Sequence, residues 1–170
     1  MAEVRFVDRA DAGRVLADEV ARHLFRRPVT VLGVARGGVP VAAEVARALA
    51  APLDVLVVRK VGHPANPEFA IGAVTSDGTF TDSGAVDIHL EPDLRARLIA
   101  DAVEEAARLE QMLRGATPGQ DLAGEICVVV DDGIATGASL RAACKAARAR
   151  GASTVIAAAP VGSPDPVRRL

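Results

Sequence analysis

The 170-residue chain carries 20 lysines and arginines against 22 aspartates and glutamates, which gives a formal charge of -2 at pH 7. Half of its residues are hydrophobic and a quarter are charged, a balance typical of a folded domain rather than a disordered chain. This charge argues against bulk nucleic-acid binding, which usually needs a basic face. The sequence has no apolar run long enough to cross a membrane and begins without a signal-peptide core, so we expect a cytoplasmic protein with no membrane contact.

The sequence offers no metal-ligand or disulfide pattern. Cys127 and Cys144 fall within a predicted strand and a predicted helix, so we interpret them as two free core thiols in a reducing compartment, the alternative being a disulfide or a metal pair. His23, His63 and His89 are scattered without metal spacing, and we expect them at the surface or in loops.

The first part of the chain predicts a helix followed by a strand-helix-strand unit. Apolar residues at Val15, Leu16, Val20 and Leu24 favour an amphipathic helix over 11–25. An apolar, β-branched run then ends in the turn Arg36-Gly37-Gly38. Such a unit within about thirty residues is typical of a parallel sheet. The predicted elements are a strand over 29–35, a helix over 41–50 and a second strand over 53–59.

The next segment predicts a flap after the second core strand. Residues 61–69 contain two prolines and a glycine and cannot form the interior of a helix. A strand over 70–75, a turn over 76–78 and a short return strand over 79–81 follow. Prolines within 61–69 favour a stiffer loop than a freely mobile one.

A long helix and a second strand-helix-strand unit complete the predicted fold. Pro92 suits the first residue of a helix that ends near Arg114, before Gly115. Residues 126–130 are apolar on both faces and predict a central strand, followed by a loop over 131–136, a helix over 137–150 and a buried strand over 154–159. The expected apolar face of the long helix is Leu94, Leu98, Ala102, Ala106, Leu109 and Leu113.

These elements together predict an α/β fold. We expect a three-layer, open, mainly parallel sheet of about five strands with helices on both faces. No repeat or long linker divides the chain, so 1–170 is expected to form one domain with its core at about 29–160.

The segment after the central strand carries the most informative chemistry. Asp131 and Asp132 follow that strand at its carboxyl end, where ligands bind in open α/β sheets. The following loop contains two glycines and two hydroxyl residues and opens a helix, so its backbone amides are suited to hold a phosphate. Carboxylates in contact with a phosphate would repel it, but carboxylates beside this phosphate cradle can accept hydrogen bonds from the two hydroxyls of a ribose. Sequence alone leaves open the alternative of a glycine-rich turn with incidental acids.

The stretch from Val128 to Ser139 resembles the signature of type I phosphoribosyltransferases, and the general pattern of the chain resembles the uncharacterised bacterial branch of that family. The resemblance covers about 29–160 and implies that Asp131 and Asp132 hold the ribose hydroxyls of phosphoribosyl pyrophosphate. It also implies Mg²⁺ as cofactor, which would bridge pyrophosphate and ribose oxygens and keep several waters, with Asp131 or Asp132 as an outer or occasional direct ligand. The residues that would hold the 5′-phosphate and line the loop are Gly133, Ile134, Ala135, Thr136, Gly137, Ala138 and Ser139.

Two further positions match the family. Arg36, Gly37 and Gly38 resemble its pyrophosphate loop, with Arg36 contacting the leaving group, although Arg-Gly-Gly alone is a common turn. Lys60 resembles a basic residue of the family that lies near the pyrophosphate, the alternative being a surface lysine. The resemblance therefore implies four catalytic residues: Arg36, Lys60, Asp131 and Asp132. Residues 62–69 occupy the place of the family's flexible loop. Glu68 in this loop is a candidate for the base that takes the proton of the acceptor, the alternative being an exposed loop acid.

The resemblance implies transfer of ribose 5-phosphate to a nitrogen acceptor, such as a nucleobase, with release of pyrophosphate. The alternative is a regulator that senses phosphoribosyl pyrophosphate or a nucleotide without turnover. No hood over the acceptor is recognisable in 161–170, so we expect the hood segment to be absent or truncated, the alternative being a hood formed by the N-terminal helix or a partner subunit. A homodimer is an assembly suggested by the family alone. The sequence lacks a dinucleotide-binding glycine motif, a Walker lysine and a hydrolase nucleophile elbow.

Overall fold

The structure is a computed structural model that describes residues 5–24, 27–82 and 90–164, with the backbone alone for 66–69. Its helices and strands follow one another largely as predicted. The four helices within these ranges are α1 (Arg9–Leu24), α2 (Gly38–Leu49), α3 (Pro92–Arg114) and α4 (Ala138–Ala149). The six strands are β1 (Thr30–Ala35), β2 (Leu53–His63), β3 (Asn66–Thr75), β4 (Phe80–Asp82), β5 (Ile126–Val130) and β6 (Thr154–Ala158).

The strands form one mixed sheet in the order β4-β3-β2-β1-β5-β6. β2, β1, β5 and β6 are parallel to one another, whereas β3 pairs antiparallel with β2 and β4 pairs antiparallel with β3. The prediction of a mainly parallel α/β sheet is therefore confirmed, with six strands in place of about five. β5 lies inside the sheet and all its residues are buried, as its apolar sequence predicted.

Helices cover both faces of the sheet, which gives the predicted three layers. Along β1, Val31 packs with residues of α1 and α2, whereas the next residue, Leu32, packs with residues of α4. Val55 and Val57 of β2 pack against Ala106 of α3, on the same face as α2. α4 therefore covers the face of the sheet opposite the other three helices. Within the described ranges, no helix is long and apolar enough to cross a membrane.

The segment predicted as a loop flap is instead a β-hairpin. β2 continues to His63 and β3 begins at Asn66, so a two-residue turn replaces the expected loop over 61–69. The pairing shifts between Val61 and His63, and Pro67 falls inside this irregular stretch, between the paired residues Asn66 and Ala70. A bulge tolerates a residue without a backbone N–H, which is why proline did not prevent strand formation.

Three predictions of burial are wrong in whole or in part. β6 was expected to be buried, but it is an edge strand of which only Ala158 is buried, because no strand within the described ranges pairs with its outer side. On α3, Ala106 is buried while Leu94 and Leu113 are 40% and 45% exposed. Val15 of α1 is likewise half exposed.

A buried polar cluster fixes the edge of the sheet where β2 begins. Arg114 of α3 donates to both carboxylate oxygens of Asp54, at 2.8 and 3.0 Å, and also pairs with Glu110. The backbone N–H of Gln120 donates to Asp54 at 2.9 Å. Burial alone would raise the pKa of Asp54, but these hydrogen bonds outweigh it and lower the pKa. The cluster therefore ties α3 and the loop after it to the sheet.

The two cysteines are free and buried, as expected. Burial raises the pKa of both thiols, that of Cys144 to about 11. Thiols with pKa values raised in this way are poor nucleophiles at neutral pH, which is consistent with a packing role.

Candidate active site

The turn after β1 and the carboxylates after β5 meet at one edge of the sheet. β1 and β5 are parallel neighbours with Gly33 paired to Val130, so the segments that follow them leave the sheet side by side. A Cβ atom built on Gly37 would lie 2.2 Å from Oδ2 of Asp132, and one on Gly38 would lie 2.5 Å from the carbonyl oxygen of Val130. The peptide bond between Ala35 and Arg36 in this turn is cis. Glycine at both positions thus permits the contact between the turn and the carboxylates.

Asp131 is a partly buried carboxylate whose proton affinity is unusual. Burial is the main cause that raises its pKa to about 6, and the nearby charge of Asp132 adds to the effect. A hydrogen bond from the backbone N–H of Asp132 to Oδ1 of Asp131, at 2.9 Å, acts in the opposite direction. Asp131 therefore changes protonation just below neutral pH, which makes any ligand that needs its charge bind in a pH-dependent way.

Asp132 is paired with an arginine that no sequence motif predicted. The Nε and Nη2 atoms of Arg9, the first residue of α1, donate to Oδ2 of Asp132 at 2.9 and 2.8 Å. The two residues are 123 positions apart in the chain, and no local motif marks Arg9. Only the packing of α1 against α2 brings them together, so this residue was missed.

The loop before α4 is the segment predicted to bind a phosphate. Gly137 has a φ of 74°, in the left-handed region that favours glycine, and it caps α4. None of the hydrogen bonds among the described residues uses the backbone amides of Ala135, Thr136 or Gly137. Unpaired amides at a helix N-terminus are suited to bind an anion such as phosphate.

The chain beyond β6 holds this loop in place. The N–H of Ile134 donates to the carbonyl of Val161, and the N–H of Ser163 donates to the carbonyl of Ile134, both at 2.9 Å. Ile134 is buried, whereas Ala135 and Thr136 are exposed. Gly133 has ordinary backbone angles, and the close neighbour of a Cβ there is Val161 Cγ2, at 3.2 Å. The cradle is thus a fixed loop with an exposed rim.

Arg36 lies exposed in the turn after β1, and its guanidinium makes no ion pair among the described residues. Lys60 is also exposed and is not in contact with the carboxylates among those residues. It follows Leu56 and Val58, which pack with α4 residues, so strand alternation puts it on the face that α4 covers. Its neighbour Arg59 pairs with Glu105 of α3 at 3.2 Å, on the other face. The turn that carries Arg36 therefore adjoins Asp132, whereas Lys60 lies on β2 of the hairpin.

The remaining predictions fall partly outside the described ranges. The side chain of Glu68 and the whole of His89 are among the undescribed parts, as are residues 165–170, so the candidate base and the hood stay predictions. Within the described residues, no three histidine, cysteine, aspartate or glutamate side chains are grouped as a metal site. The two carboxylates of Asp131 and Asp132 would be enough to hold Mg²⁺, because this ion commonly binds one or two carboxylates together with substrate phosphates.

Comparison with known proteins gives a consistent picture. The family model for the phosphoribosyl transferase domain matches residues 7–169. A Mycobacterium tuberculosis protein carrying the name "putative phosphoribosyl transferase" is 48% identical over 167 residues, which is 97% of this chain and 38% of the relative. The chain thus spans little more than a third of the length of the curated relatives it matches.

Solved structures share the fold. A crystal structure of a Thermus thermophilus protein is similar with a TM-score of 0.81 and 41% identity, over 98% of this chain and 79% of that one. A purine phosphoribosyltransferase from Pyrococcus horikoshii is similar with a TM-score of 0.54 and 21% identity, over 92% and 74% of the two chains. At that identity the second likeness is evidence of a common fold.

Proposed function

The chain belongs to the phosphoribosyl transferase family, and from this premise we propose that it binds phosphoribosyl pyrophosphate and transfers ribose 5-phosphate to a nitrogen acceptor. The observation that carries the proposal is the contact between the turn at Gly37 and the carboxylate of Asp132. It brings an arginine loop, paired acids and an anion cradle to one edge of the sheet. These are the three kinds of group that a pyrophosphate, a ribose and a phosphate require.

The proposed division of the ligand follows from the chemistry of each part. The amides of residues 135–137, with the hydroxyls of Thr136 and Ser139, suit the 5′-phosphate at the N-terminus of α4. Asp131 and Asp132 accept hydrogen bonds from the two ribose hydroxyls. Arg36 directly precedes Gly37, the residue next to Asp132, and carries the charge that the pyrophosphate needs.

The reaction we propose is a displacement at the anomeric carbon of ribose. The bond from C1 to the pyrophosphate oxygen breaks, the acceptor nitrogen forms the new bond to C1, and the acceptor proton leaves to solvent or to a base. In the transition state, the leaving pyrophosphate oxygen gains negative charge and the ribose ring gains positive charge. Arg36 would stabilise the first charge and the carboxylates of Asp131 and Asp132 the second. Bound Mg²⁺, held by those carboxylates and substrate oxygens, would supply further neutralisation of the pyrophosphate.

The site works best with both carboxylates charged. The raised pKa of Asp131, about 6, means that protonation removes one acceptor for a ribose hydroxyl as the pH falls below that value. We therefore expect activity to decline below about pH 6 for this reason alone.

A pyrophosphate-release assay tests the proposal. The chain is incubated with phosphoribosyl pyrophosphate, Mg²⁺ and single nucleobases in turn, and released pyrophosphate is measured. We expect release that depends on one acceptor and is lost in the Asp131→Asn/Asp132→Asn variant, while Asp101→Asn, an exposed acid on α3, behaves as the parent. Binding of phosphoribosyl pyrophosphate without release, whichever acceptor is offered, would favour the sensor function over the transferase.

A further inference from the structure

The ion pair between Arg9 and Asp132 has a role beyond holding α1 to the sheet. We propose that Arg9 is a second pyrophosphate-binding residue, which rests on Asp132 in the free protein and moves to the pyrophosphate when the ligand binds. The inference builds on the proposed function, because it takes the ligand of the site to be phosphoribosyl pyrophosphate. It gives the site a cation that neither the loop motif nor the acid motif contains.

The position of the guanidinium carries the proposal. Both Arg9 nitrogens donate to the same oxygen, Oδ2 of Asp132, and that oxygen is the atom nearest to a Cβ built on Gly37. Arg9 is therefore next to the turn that presents Arg36, at the place assigned to the leaving group. Together with Arg36 of that turn, Arg9 would offer the pyrophosphate two guanidinium groups, each able to donate paired hydrogen bonds to phosphate oxygens.

The backbone of Arg9 is held at the start of α1, whereas its side chain is mostly exposed. Asp8 accepts from the N–H of Asp11 at 2.8 Å, and Asp11 accepts from the N–H of Val7 at 3.1 Å, so the start of α1 is held by reciprocal capping bonds. A Cβ built on Gly13 would lie 2.8 Å from Cβ of Glu44 in α2, which shows how closely the two helices pack. α2 itself begins at the site turn, so α1 and the turn are held as one unit.

The ion pair is one that a ligand can replace. The side chains of Arg9 and Asp132 are 61% and 34% exposed, and exposed pairs of this kind contribute little to stability. Pyrophosphate carries several negative charges and attracts the guanidinium more strongly than a single carboxylate does. The exchange also frees Asp132 for a ribose hydroxyl, so one movement serves both parts of the ligand.

The test compares two fragments of the ligand on matched variants. Calorimetric titrations with Mg²⁺-pyrophosphate and with ribose 5-phosphate are made on the parent, Arg9→Gln, Arg9→Lys and Arg22→Gln. Arg22 is the control because it lies on the same helix, is similarly exposed and pairs with Glu19, away from the site. We expect Arg9→Gln to weaken pyrophosphate binding about tenfold and to leave ribose 5-phosphate binding within about twofold. Arg9→Lys should recover part of the loss and Arg22→Gln should match the parent.

The contrary results separate this inference from the proposed function. If Arg9→Gln binds pyrophosphate as tightly as the parent does, the inference on Arg9 is wrong and the proposed function stands. Equal weakening of both fragments, together with a lower Tm, would make Arg9 a structural residue of α1 and would also refute the inference. A parent that binds neither fragment would overturn the proposed function and the role of Arg9 with it.

Discussion

Replacing Asp131 by asparagine should make the folded protein more stable at neutral pH while impairing its site. The pKa of this carboxyl rises from its ordinary 3.8 to about 6 in the folded chain, mainly through burial. A carboxyl whose folded pKa exceeds its unfolded pKa lowers the stability of the fold as the pH rises from the unfolded to the folded pKa, because the unfolded state ionises first. The full cost is present above the folded pKa. At about 1.4 kcal/mol for each pKa unit, the cost is at most about 3 kcal/mol. Water reaches part of the side chain and screens it, so we expect an effect of roughly 1–2 kcal/mol.

The dependence on pH identifies the cause. Below pH 3.8 the carboxyl is protonated in both states, and the parent and the variant should be about equally stable. The advantage of the variant should grow as the pH rises from about 4 to about 6 and stay constant above that. Asparagine keeps an oxygen for the N–H of Asp132, so the shape of the loop is retained.

Urea denaturation followed by circular dichroism at several pH values measures this effect. Asp101→Asn serves as control, since that side chain is exposed on α3 and should give no difference that changes with pH. If Asp131→Asn is less stable than the parent at pH 7.5, or if the difference is the same at every pH, the account of Asp131 as a destabilised carboxylate is refuted.

Two other substitutions test the contact at Gly37 and the buried polar cluster of Asp54 and Arg114. Gly37 has a φ of -62°, which alanine adopts freely, so Gly37→Ala should act through the overlap of its Cβ with Asp132. We expect this variant to bind Mg²⁺-pyrophosphate more than about tenfold more weakly in calorimetric titration, and an unchanged affinity would contradict the contact. Arg114→Met should lower the free energy of unfolding in urea by about 3 kcal/mol, because Asp54, whose side chain is 6% exposed, would lose its main partner. Arg108→Met is the control on the same helix, exposed and paired with Glu104, and should change stability by less than about 0.5 kcal/mol, so an equal effect of both variants would count against the buried cluster.

Sequence alone predicted the features that depend on local chemistry. Pro92 and Gly115 bound α3 as expected, because proline suits the first helical turn and glycine the left-handed residue that follows a helix. Ile126–Val130 was placed inside the sheet because it is apolar on both faces. Asp131 and Asp132 were expected at the carboxyl end of a central strand, where ligands bind in open α/β sheets, and they lie there.

The features that depend on distant contacts were not predicted. The hairpin over 61–69 forms although its prolines argued for a loop, since a bulge in β3 accommodates Pro67. β6 has an apolar sequence but lies at the edge of the sheet, a property of strand order that its own residues do not encode. The pair between Arg9 and Asp132 joins residues that are 123 positions apart in the chain, and only the folded arrangement of α1 reveals it.

The central claim is that Asp131, Asp132 and the loop after them bind phosphoribosyl pyrophosphate. Calorimetric titration of this compound in the presence of Mg²⁺, on the parent and on Asp131→Asn/Asp132→Asn, tests it most directly. We expect saturable binding by the parent, with one site per chain, and loss of that binding in a double variant that circular dichroism shows to be folded. A folded parent that does not bind, or a double variant that binds as the parent does, would contradict the claim.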